Sequence, residues 1–228
     1  MRLYQLAIAC TVYDSMTGFG ESYRFFRTNV GGNLDFDDGN HLTELLKWLR
    51  KWGCRQFEKS SWAEEIAKES IRSWAQEWIS TLPDQKVALD HMSIREIELA
   101  AQAYVSLKKC SASKTKTVGP TGASKILFAD RPKALPPWDE AMRAKYKGKG
   151  EEEGYRRFLL CSQREVLELK RDAARLGISP ARIPESICRP DSTLCELVNA
   201  YTWITETAEL KVPTPEQLAQ WHSWSKGG

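Results

Sequence analysis

The sequence predicts a mainly α protein, and three observations carry that prediction. Two capping boxes, Ser61-Trp62-Ala63-Glu64 and Ser93-Ile94-Arg95-Glu96, open helices; apolar residues recur at intervals of three and four; and glycines or prolines stand where those runs stop. Residues 1–38 carry the weakest pattern: 3–13 and 23–26 read either as strands of a small β hairpin around Thr17-Gly18-Phe19-Gly20 or as an irregular helical lead-in. Asn40 caps a helix that runs through Trp52 and is halted by Gly53. Ala63, Ala67, Ile71, Trp74 and Trp78 then form a buried stripe that ends before Pro83. The box at Ser93 starts a helix to about Leu107. A polar, lysine-rich loop separates it from a helix opening near Gly119, and the long helix 154–176 places Leu159, Val166, Leu169, Ala173 and Leu176 on one face before Gly177. Further helices are expected at Ser179-Pro180, over 192–207 and over 215–224.

At 228 residues the chain is long enough for one substantial core or two helical lobes sharing a cleft. Its formal charge of +3, from 33 basic and 30 acidic residues, leaves any affinity for a polyanion to local clusters. Six cysteines without a Cys-x-x-Cys pair read as reduced thiols, which points to the cytoplasm. His41, His91 and His222 show no metal-ligand spacing, so no metal and no cofactor are expected. The first ten residues lack the apolar core and processing site of a signal peptide, and no run is long enough to span a bilayer. The expectation is a monomer with no membrane partner. The charged run 145–153 separates the middle of the chain from a C-terminal helical part.

The chemistry concentrates between Val118 and Asp139. Gly119 and Gly122 allow close backbone approaches, Pro120 fixes φ beside a helix start, and exposed N–H groups at such a start attract an anion. Lys108, Lys109, Lys114 and Lys116 add a salt-dependent attraction to a phosphate chain, or form an ordinary solvated linker. Asp139 follows Leu135-Pro136-Pro137-Trp138 and precedes a short helical pattern, so its carboxylate is either a cap or a fixed catalytic group, and the two roles are compatible. Lys125 lies one helical turn beyond Thr121 on the same face, where its amine meets solvent, a phosphate or the pocket.

Val118-Gly119-Pro120-Thr121-Gly122-Ala123 resembles the hairpin of the helix-hairpin-helix (HhH-GPD) DNA glycosylase superfamily, whose usual form is Leu-Pro-Gly-Val-Gly-x-x-Thr-Ala. Leu135-Pro136-Pro137-Trp138-Asp139 resembles that family's proline-rich approach to its single catalytic aspartate, and the interval from Gly119 to Asp139 matches without a gap. The resemblance implies a two-lobed helical fold, with an N-terminal lead-in over 1–38 and a glycosylase-like domain over 39–228. The hairpin then covers 93–129 and the catalytic loop 130–139. It implies Asp139 as the catalytic carboxylate, Trp138 and Lys125 at the base pocket, and Lys116, Gly119, Thr121, Gly122 and Lys125 on DNA. The chain departs from the family at Thr117, in place of the first hairpin glycine, and at Ala141, where many members carry His. Thr121 stands where bifunctional members carry a Schiff-base lysine, which removes covalent catalysis of that kind. Only Cys188 and Cys195 lie late and close together, so the family's four-cysteine iron–sulfur loop is absent.

These implications converge on a monofunctional glycosylase that flips a modified or damaged base out of double-stranded DNA and hydrolyses its N-glycosidic bond, in repair or in defence against phage with modified DNA. The alternatives are a non-catalytic helix-hairpin-helix module that binds nucleic acid, and a helical protein-interaction domain in which the motif is coincidence.

Overall fold

A computed structural model describes residues 1–226. Among them eleven α-helices follow in order: α1 Leu3–Met16, α2 Phe19–Asn29, α3 Gly39–Lys51, α4 Ser61–Trp78, α5 Ile94–Leu107, α6 Gly119–Asp130, α7 Glu140–Lys145, α8 Glu151–Arg175, α9 Ile183–Ser186, α10 Leu194–Thr202 and α11 Pro215–Lys226. A π-helical turn, Trp203–Thr207, continues α10. No described helix is long and apolar enough to cross a membrane.

The first 38 residues correct the strand alternative. Both 3–13 and 23–26 are helical, and Leu3, Leu6, Ala9, Cys10 and Tyr13 form one buried face of α1. A helix satisfies its own backbone while that face packs on α8 and α10, whereas two isolated strands could not. Among the described residues the β pairing is confined to a single bridge, Ser111 to Thr117, inside the loop between α5 and α6.

Local signals fix most helix ends, some one or two residues from the expected place. The Asp38 carboxylate, rather than Asn40, caps α3 by accepting from Asn40 N at 2.7 Å. Ser60, one residue before the expected box, accepts from Ala63 N. The Ser93–Glu96 box is present as expected, and a second closed box, Thr193 with Glu196, opens α10. α8 starts three residues early because Glu151, Glu152 and Glu153 complement the positive end of the helix.

Two apolar clusters organise these helices. The larger gathers the inner faces of α2 to α7 with Tyr155, Phe158, Leu159 and Val166 of α8. The smaller gathers α1 and α10 with Ile183 and with Leu169 and Ala173, one and two turns farther along α8. The 25-residue α8 therefore contributes to both, as does α10; of the expected stripe Leu159, Val166, Leu169 and Ala173 are buried, whereas Leu176 lies beyond the helix end and is exposed. Fully burying each large side chain in such a cluster contributes roughly 1.5–3 kcal/mol. Every residue of α6 from Gly122 to Asp130 is buried, so this helix is an interior element fixed from all sides.

Candidate functional site

α5 ends at Leu107, and the chain returns through a loop whose backbone groups bond to one another. Ala112 N donates to Lys116 O, Val118 N to Cys110 O at 2.8 Å, and Gly119 N to Lys108 O at 3.0 Å. Gly119 turns the chain into α6 with φ of +68°, a left-handed conformation that a Cβ would strain. Gly122 serves a different purpose. A Cβ there would lie 2.7 Å from Gln56 Nε2 and 3.3 Å from Phe57 Cε2, so Gly122 lets α6 press against the segment 52–60 that joins α3 to α4. Gln56 reinforces that contact by donating to Val118 O at 2.5 Å.

Ser124 joins the hairpin to the proline-rich loop. Its hydroxyl, fully buried on α6, accepts from Trp138 N at 3.0 Å and lies 3.1 Å from Trp138 O. Immediately after this staple, Asp139 caps α7: Oδ1 accepts from Met142 N at 3.0 Å, and Oδ2 accepts from Thr207 Oγ1 at 2.7 Å. Arg143, one turn along α7, donates to Thr121 Oγ1 at 2.9 Å and to Trp138 O at 3.3 Å. The start of α6, the half-buried Asp139 carboxylate and the π-helical turn thus meet at one place. No described cation lies within ion-pair distance of Asp139, so neutral donors hold its charge.

Lys125, expected at the base pocket or a DNA phosphate with solvent as the alternative, is drawn into the interior instead. It is 8% exposed, its ammonium donates to Trp52 O at 2.5 Å, and it lies 5.3 Å from the centre of the Trp52 ring. Burial pulls its pKa below the ordinary lysine value, opposed by the nearby Cys54 thiol and Asp139 carboxylate. Burial likewise pushes the Cys54 thiol up.

Trp138, expected at a base pocket, is instead core. It is 2% exposed and packs with Tyr104, Tyr155 and Phe158, at 5.7 Å and nearly parallel to the last. A ring enclosed in this way presents no face to an extruded base. The upstream lysines divide. Lys116 pairs with Glu58 at 3.1 Å and Lys108 with Glu151, while Lys109 and Lys114 are exposed and make no ion pair among the described residues. Asp139 lines none of the three largest described clefts, whose volumes are about 620, 610 and 560 Å³.

Sequence reasoning missed Ser124, Arg143 and Thr207. Arg143, four residues after Asp139, carries a helical-spacing signal; Ser124 and Thr207 carry none, because they act across 14 and 68 residues of chain. The groups of His, Cys, Asp and Glu among the described residues include none that could hold a metal. No protein-family model, curated protein sequence or solved structure matches the chain.

Proposed function

We propose that the chain is a monofunctional DNA glycosylase of helix-hairpin-helix type, with Asp139 as its catalytic carboxylate. The observation that carries this reading is the convergence of the hairpin start and Asp139 through Ser124 and Arg143. The half-buried Thr121 amide, the first after Gly119 and Pro120, is the hairpin donor this reading offers to a phosphate, since the Gly119 amide is bonded to Lys108 O and α6 is buried from Gly122 onward. The division of the core into two apolar clusters that share α8 supports the two-lobed part of this reading.

The N-glycosidic bond breaks with its electron pair leaving on the base, which takes up a proton. Positive charge develops on the deoxyribose, and the Asp139 carboxylate stabilises it without being neutralised by a bound cation. Water then adds at C1′ and loses its proton to the carboxylate or to solvent. Thr121 offers no amine at the hairpin, and the Lys125 ammonium is engaged by the Trp52 carbonyl, so the product is an intact abasic site. Trp138 is left out of base recognition.

One feature favours a second reading, a non-catalytic module that grips nucleic acid: both Asp139 oxygens already accept hydrogen bonds within the protein. Duplexes carrying different modified bases, incubated with the protein and then treated with alkali, separate the two. The glycosylase produces alkali-dependent strand breaks and no borohydride-trapped adduct. Binding without any abasic site establishes the module, and an adduct lost in Lys125→Gln establishes a bifunctional enzyme.

A further inference from the structure

A second surface lies beside the hairpin and apart from Asp139. Phe25 on α2 and Trp62 at the start of α4 are 58% and 55% exposed, unusual for such large apolar side chains. Each carries a lysine ammonium over its ring: Lys51 lies 5.2 Å from the Phe25 centroid and Lys114 lies 5.5 Å from that of Trp62. A cleft of about 560 Å³ runs past Phe25, Lys51 and Lys59. The segment 52–60, which carries the exposed Arg55, is tied to the hairpin loop by the Gln56–Val118 hydrogen bond and the Glu58–Lys116 ion pair. Lys51, Arg55, Lys59 and Lys114 are exposed and pair with no carboxylate among the described residues, whereas the neighbouring Lys47 and Arg50 are paired with Glu44 and Glu64.

Exposed rings interleaved with cations that no carboxylate pairs match the two faces of an unpaired nucleic acid strand: bases that stack on a ring as the lysine above it turns to a phosphate, and phosphates that attract. A duplex hides its base faces, and an acidic peptide uses the cations while leaving both rings idle. We propose that this face binds single-stranded DNA, with bases on Phe25 and Trp62 and the backbone along Lys51, Arg55, Lys59 and Lys114. The choice of DNA over RNA rests on the reading of the adjacent hairpin as a DNA grip.

Fluorescence anisotropy with a labelled oligothymidylate tests this on the full chain, whether or not base excision is observed. The wild-type protein binds the probe; Phe25→Ala with Trp62→Ala weakens binding roughly tenfold or more while circular dichroism stays native, because both rings are exposed. Lys51→Gln with Lys114→Gln flattens the dependence of affinity on salt. The proposal is overturned if wild type fails to bind, if the aromatic variant binds like wild type, or if oligouridylate, blunt duplex or polyglutamate displaces the probe better than unlabelled oligothymidylate does. Loss of duplex excision with oligothymidylate binding intact overturns only the reading of Asp139.

Discussion

Two carboxylates bracket the segment between α6 and α7, and their environments are opposites. Asp130 closes α6 at 4% exposure, with Arg131 Nη1 at 2.5 Å from its Oδ2, and burial pushes its pKa up to about 6. Arg131 is itself anchored, donating to Pro83 O and Ile79 O. Asp139 is half-buried, has no cationic partner within ion-pair distance, and is held by an amide and a hydroxyl. A buried carboxylate committed to its own arginine is bound up in the fold. One fixed by neutral donors keeps its charge available to a developing cation. The difference ties Asp130 to the fold and leaves Asp139, nine residues along the chain, as the carboxylate on which the proposed chemistry rests.

The sharpest way to break this contrast is Asp139→Asn. The amide keeps an acceptor for Met142 N, so folding and DNA binding should persist while excision falls by roughly 10²–10³-fold or more. Wild-type excision by this variant in a single-turnover assay would reduce Asp139 to a cap.

Asp130→Asn should do the reverse, leaving excision intact and altering stability with pH. Because the folded-state pKa of Asp130 is raised from the ordinary 3.8 to about 6, folding favours the protonated acid. Its stabilising contribution is complete below the unfolded value and disappears as pH rises through about 6. Urea titrations should show the wild type losing on the order of 2 kcal/mol across that window relative to the variant. Parallel stability curves would remove the distinction between the two carboxylates.

Gly122→Val probes the hairpin that sets Asp139 in place. Its side chain would enter the space held by Gln56, Val118 and Phe57, costing about 1–3 kcal/mol of stability and weakening DNA binding equally for all sequences. Unaltered stability and affinity would show that α6 can move away from the segment 52–60 without consequence.

The smallest effect is expected from Thr207→Val, which keeps the shape and removes the donor to Asp139 Oδ2. A loss of about 1 kcal/mol of positioning, read as a roughly fivefold fall in excision with unchanged melting temperature, is the expected result. An unchanged rate would mean that the cap on α7 alone fixes the carboxylate.

Sequence by itself determined the helical class and most boundaries, because capping boxes, apolar periodicity and stop residues act over three or four positions of chain. The box at Ser93, the stripe through Ile71 and Trp74, and the left-handed stop at Gly53 are all present. It also marked Asp139 as a residue beginning a helix, since an aspartate after prolines and before a helical run is a local signal. Tertiary structure alone decided the burial of Trp138 and Lys125. Trp138 and Lys125 look alike in sequence to a pocket wall and a solvated amine, yet one closes an aromatic cluster and the other is drawn beneath Trp52, 73 residues away in the chain. The weakly patterned N-terminus became helical for the same reason. α1 has little amphipathic signal of its own, and its conformation is fixed by the face that α8 and α10 offer it from the far end of the chain. Burial at these positions depends on partners distant in sequence, which no local pattern encodes.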